Sequence, residues 1–304
     1  NMFGALKLYK TAQKKGVQPI LGAEVMVEGL VPPAKDRPLP RMILLVQSHE
    51  GYLHLCELLT RGWQAIGSKP QATMKWEWMR ELSGGLILLS GAQAGPLGLP
   101  LLAGDMEQAH ALALQCEEVF PNRFYLELQR AGRGTDESHV VAAVRLAQRM
   151  QLPVVATHPI QFMTAAEFEA HEARVCIAEG EILGDQRRQR RFTHQQYFHT
   201  TAEMEALFAD IPSAIANTVE IARRCAITLT LGKPQLPNYP IPDGLSMEEY
   251  FRKLSHEGLE ARLAHLYPDE ARRNEERPHY EERLEFELGT ILQMGFPGYF
   301  LIVA

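Results

Sequence analysis

The sequence predicts an α/β fold built on a largely parallel sheet, followed by a mainly helical segment. Up to about residue 160, short apolar runs alternate with helical patterns. The runs are apolar at nearly every position, as expected of strands buried on both faces in parallel β/α architecture. Beyond that point the runs give way to helical stripes and a proline-punctuated connector.

Residues 3–15 have helical spacing and stop at Gly16, a C-cap. Residues 20–27 read as a strand, 42–46 as a second, and 52–63 as a helix. A third strand, 86–89, is stopped by Ser90-Gly91, and a helix spans 106–119. Residues 124–128 form a fourth strand, 137–150 a helix, and 154–156 a fifth strand entered through Leu152-Pro153. In such folds polar functional residues collect just after strand ends. Here those positions are Glu24, Gln47-Ser48-His49, Ser90, Gln129-Arg130-Ala131 and Thr157-His158-Pro159.

Residues 167–177 and 204–225 read as helices, the latter with one apolar stripe from Met204 to Ala222. Pro234, Pro237, Pro240 and Pro242 oppose both helix and central strand, so 226–246 is an extended linker and the best domain boundary. It separates residues 1–225 from a charged helical block, 247–295, with a stripe of Leu284, Leu288, Ile291 and Leu292. The aromatic and aliphatic run 293–303 reads as core packing cut from a larger protein, because chain ends usually fray into water.

Composition narrows the function. The 304 residues are 46% hydrophobic and 22% charged, as in a soluble globular protein. No apolar run reaches the ~20 residues that span a bilayer, and no membrane partner is expected. Four separated cysteines form no CxxC pair and read as buried thiols of a reducing, cytoplasmic compartment. A net charge of −6 argues against a self-sufficient nucleic-acid binder. No GxSxG elbow, P-loop or GxGxxG loop is present.

Several segments carry a resemblance in their order and spacing. They are Asn1-Met2-Phe3-Gly4-Ala5-Leu6, Gly22-Ala23-Glu24, residues 85–91, Phe124-Tyr125-Leu126-Glu127-Leu128, residues 152–157, residues 217–222 and Met294-Gly295-Phe296-Pro297-Gly298-Tyr299-Phe300. Together they resemble the alpha-subunit family of bacterial DNA polymerase III over nearly the whole chain. The resemblance implies that residues 1–225 are a PHP (polymerase and histidinol phosphatase) domain. That domain is a distorted, TIM-like seven-stranded (β/α) barrel, here lacking its first β/α units and their His-x-His and Asp-His motifs. Residues 247–304 would then lead into the polymerase palm, whose catalytic carboxylates lie beyond Ala304.

Active PHP domains bind two or three metals through clustered His, Asp and Glu at strand ends, and the metals activate a water for attack on phosphorus. Glu24 matches the family's glutamate ligand. Arg41 stands where a histidine usually precedes the next strand, and Ala131 where active members have a histidine. Pro159 and Gln161 replace the aspartate and histidine of an Asn-Asp-x-His motif. A single carboxylate cannot hold a multinuclear centre, and Arg41 and Arg130, if inward, would put positive charge where cations would sit. The resemblance therefore implies no catalytic metal, with Glu24 and His158 as vestigial positions. His158 and His171 read as structural, and His49 and His54, without acidic partners, as surface residues.

Arg187, Arg188, Arg190 and Arg191 could touch a phosphate backbone; the competing reading is a loop that pairs with nearby acidic residues. The resemblance implies a non-catalytic PHP scaffold that docks the epsilon proofreading exonuclease. It belongs to a parent chain that uses Mg2+ and meets DNA, sliding clamp and clamp loader. The alternative is an active metal-dependent phosphoesterase or 3′–5′ exonuclease, against which Ala131, Pro159 and Gln161 speak.

Overall fold

The computed structural model describes residues 2–33, 38–185, 187–233, 237–242 and 244–304. Asn1 of the opening motif and Pro234 of the connector lie outside the described residues. The chain forms two compact units, Asn1–Leu229 and Thr230–Ala304.

The first unit runs α1 (Ala5–Lys14), β1 (Gly22–Glu28), β2 (Arg41–Val46), α2 (His49–Gln64), β3 (Thr73–Lys75), α3 (Trp76–Glu81), β4 (Leu86–Leu89), α4 (Gly98–Ala103), α5 (Met106–Val119), β5 (Phe124–Gln129), α6 (Asp136–Met150), β6 (Val154–Thr157), α7 (Phe168–Glu179), α8 (Thr201–Leu207) and α9 (Pro212–Arg224). Its six-stranded sheet has the order β3-β1-β2-β4-β5-β6. The five strands expected from apolar runs are all present, and so is the mixed α/β class. The sheet is not uniformly parallel. β2 runs antiparallel to both β1 and β4, while β1–β3, β4–β5 and β5–β6 are parallel. The reason lies in the β1–β2 connection. A parallel pair needs a crossover, usually a helix. This connection holds Pro32, Pro33, Pro38 and Pro40 and no helix among its described residues.

Strand alternation divides the sheet into two faces. Val25, Val27, Met42, Leu44, Leu86, Leu88, Leu126 and Leu128 point to one face and join the main core with Leu55 and Leu58 of α2 and Leu112 and Ala113 of α5. At ~25 cal/mol per Å2 of apolar surface, this face is the chief stabilising element. The alternate residues point to the other face. There Ile87, Leu89, Tyr125 and Val155 form a smaller apolar cluster with Ile221 and Cys225 at the end of α9, and Ile43 and Leu45 pack against it. The same face continues toward one strand end with polar side chains, including Glu24, Arg41, Glu127, Gln129 and Thr157.

One helix was expected over 204–225; the structure has two, α8 and α9. Pro212 occupies the first turn of α9, and its ring lacks the amide hydrogen that would continue α8. The short β3, α3 and α4 are too brief to leave a periodic signal.

In the second unit, α10 (Met247–Leu266), α11 (Glu270–Gln293) and α12 (Pro297–Val303) pack around Phe251, Leu288 and Leu301. Residues 247–295 were expected to be helical; Pro268 separates them into α10 and α11. A capping box at Ser246 and Glu249 opens α10. No single helix among the described residues is long and apolar enough to cross a membrane.

Candidate functional site

The polar half of the second sheet face forms a cleft of about 400 Å3. Because β4, β5 and β6 run parallel, their C-terminal ends meet there. The reversed β2 brings its first residue, Arg41, to the same end. Gly91 makes this approach possible: a Cβ on it would stand 1.9 Å from the Arg41 carbonyl oxygen, and its φ is +79°.

Glu24 and Arg41 meet across the cleft mouth at 3.1 Å, and both side chains are about half exposed. Glu127, which the sequence reading did not single out, lies on the cleft floor and is 1% exposed. One carboxylate oxygen accepts from Gly91 N at 3.0 Å. The other accepts from Gln129 Nε2 at 2.9 Å and from the Thr157 hydroxyl. Burial pushes the Glu127 carboxyl above its ordinary range, against the pull of these three donors. A carboxylate inside the apolar run Phe124-Tyr125-Leu126-Glu127-Leu128 was the available signal, since charge is rarely buried without a purpose.

His158 also lines the cleft. Its Nε2 lies 2.6 Å from the Gln195 carbonyl oxygen, which can only accept, so Nε2 carries the hydrogen. Burial lowers its pKa. Its ring packs 4.2 Å from that of His199, which also donates through Nε2 to the Gln195 carbonyl. Gln161 and Pro159 border the cleft and are tied to Gln196 through Gln161 N and the Pro159 carbonyl. Ala131 is fully buried, and its amide donates to Asp136 at 2.6 Å. The Asp136 carboxylate also accepts from Arg133 N and Gln93 Nε2.

Arg130 faces away from the cleft. It forks between Glu137 and Asp210 and donates to the Leu207 carbonyl. His171 packs between Phe162 and Phe192, and its Nδ1 accepts from Arg174. His54 Nδ1 lies 2.9 Å from the Gly84 carbonyl, and His49 stacks near Tyr52.

The four arginines of the 187–191 run separate in space. Arg188 is buried on Glu172, and Arg187 is paired with Asp185. Arg191 pairs with Glu179 and lines the cleft. Arg190 is exposed and forms no ion pair among the described residues.

These side chains do not fit a multinuclear metal centre. Glu24 is engaged by a guanidinium, and the Glu127 oxygens hold three donors. Among the described residues, no group of three or more His, Cys, Asp or Glu is arranged to hold a metal ion. Residues 1–131 match the PHP domain, and residues 249–304 match the bacterial DNA polymerase III alpha NTPase domain. The whole chain is 47% identical over 305 residues to DNA polymerase III subunit alpha of Pseudomonas fluorescens. The chain belongs to the alpha-subunit family of bacterial DNA polymerase III. The same named subunit of Neisseria meningitidis serogroup A is 48% identical over 306 residues, and that of Escherichia coli K12 is 44% identical over 303. Each match covers 100% of this chain and 26% of the polymerase III alpha relative, so the chain spans about a quarter of those proteins.

Proposed function

We propose that this chain is part of the DNA-synthesising subunit of a bacterial replicase, and that its first unit is a non-catalytic PHP scaffold. The scaffold braces the polymerase core and docks the epsilon proofreading exonuclease. The observation that carries this reading is the Glu24–Arg41 pair. A guanidinium occupies the carboxylate at the one ligand position the sequence retains. Ala131, Pro159 and Gln161 offer no ligand at the others, while the opposite face of the sheet keeps its apolar core.

The six-stranded sheet would be part of a distorted seven-stranded barrel, with residues 226–246 as linker and 247–304 leading to the palm. Mg2+-dependent nucleotidyl transfer belongs to the whole protein, and no step of it passes through the residues described here. DNA, sliding clamp and clamp loader are likewise partners of the whole, cytoplasmic subunit.

The test is capture of epsilon by the intact alpha subunit, with and without charge-reversing changes across the surface of residues 1–229, alongside a phosphoesterase assay. The reading requires that some of these changes abolish capture. Capture that withstands all of them would count against epsilon docking on this unit, and metal-dependent hydrolysis lost on Glu24→Gln would favour an active phosphoesterase instead.

A further inference from the structure

Helix α1 carries Lys7, Lys10 and Lys14 as one exposed stripe. Spacings of three and four residues bring them to the same side of the helix. Thr11 stands between them, also exposed, while the exposed Leu6 and Leu8 flank the stripe without interrupting it. Tyr9 and Ala12, on the opposite side, are buried. Lys15 follows directly at the helix end.

None of these lysines forms an ion pair among the described residues. From Asn1 to Ala23 the sequence holds these four lysines and no Asp or Glu, although the whole chain carries a net charge of −6. Other surface cations have carboxylate partners: Arg187 has Asp185, Arg191 has Glu179, Arg252 has Glu285 and Arg277 has Glu260. The stripe is unfavourable by itself. Like charges three and four residues apart repel. Lys7 also stands in the first turn, where the helix dipole disfavours a cation. A negatively charged partner would relieve both.

We propose that α1 docks on the phosphate backbone of duplex DNA through Lys7, Lys10 and Lys14. The inference rests on the replicase reading given above and adds to it a DNA contact made by the first unit. At 1.5 Å per residue the stripe is about 10 Å long. Over that length one strand of a duplex presents about three phosphates. Ammonium groups and a hydroxyl such as that of Thr11 are donors suited to a backbone, and they carry no sequence preference. A protein partner would need an apolar or aromatic anchor at the centre of its footprint, where α1 has Thr11.

The test uses the full-length alpha subunit that carries this chain, titrated onto a fluorescent duplex DNA at salt concentrations from about 50 to 200 mM. Wild type is set beside Lys7→Ala/Lys10→Ala/Lys14→Ala and beside Lys7→Arg/Lys10→Arg/Lys14→Arg. Loss of three phosphate contacts should make the slope of log affinity against log salt shallower by roughly 2–3 in the alanine variant. The arginine variant keeps the charges and should keep the wild-type slope. An unchanged slope in the alanine variant, or an equal loss in both variants, would overturn the inference and leave the replicase reading standing. No saturable DNA binding by the wild type would overturn both.

Discussion

Arg41 Nη1 lies 3.1 Å from Glu24 Oε1, a diagonal cross-strand pair between the antiparallel strands β1 and β2. Opposite charges at this spacing on one sheet face attract, but both side chains stand about half in water. The pair therefore sets the character of the cleft mouth more than the stability of the fold. Arg41→Ala should cost at most about 1 kcal/mol in denaturant unfolding, with the effect shrinking in high salt.

Asp136 stands in contrast. It is 4% exposed and accepts from Ala131 N, Arg133 N and Gln93 Nε2. Asp136→Ala would orphan three donors, each worth roughly 1–3 kcal/mol when buried. A loss of at least about 3 kcal/mol in the unfolding free energy, read by urea titration, is expected.

His139 is 2% exposed, and burial pulls its pKa down to about 4, only partly opposed by Asp136. Its folded value lies below the ordinary 6.5, so the unfolded chain takes up the proton first as pH falls. Stability is fully present above pH 6.5 and is lost as pH drops toward 4, by up to about 3 kcal/mol. Urea titrations between pH 4 and 7 should show this slope, and His139→Leu should flatten it.

Glu127 has the opposite sign. Its folded pKa is raised by burial, so its contribution is fully present at pH values below the unfolded carboxyl range. That contribution is lost as pH rises through the elevated folded value. Glu127→Gln gives up the acceptor for Gly91 N at every pH, so it starts as a destabilised variant. The difference from wild type should narrow steadily as pH rises from 4.5 to 8, read by the same urea titrations.

The strands were legible because their apolar runs are local and nearly unbroken, as in Leu86-Ile87-Leu88-Leu89. The direction of β2 was not, since pairing is decided between distant residues and by a proline-rich connection whose path no periodicity encodes. In the cleft, Arg41 could be placed because it opens β2, and Pro159 and Gln161 because they follow β6; Glu24, expected at a strand end, instead stands inside β1 and was placed by its Gly22-Ala23-Glu24 motif. Glu127 was hidden inside an apolar run, where a single carboxylate barely disturbs the pattern. The arginines at 187–191 read as one basic run because their partners Glu172, Glu179 and Asp185 are assigned only by the fold.

The proposal that this cleft holds no catalytic metal is most directly tested by metal analysis of the intact alpha subunit, wild type beside Glu24→Gln. Both proteins, purified without chelator and dialysed against metal-free buffer, should retain the same metal content. Two or more tightly held ions in the wild type that disappear in Glu24→Gln would contradict the account.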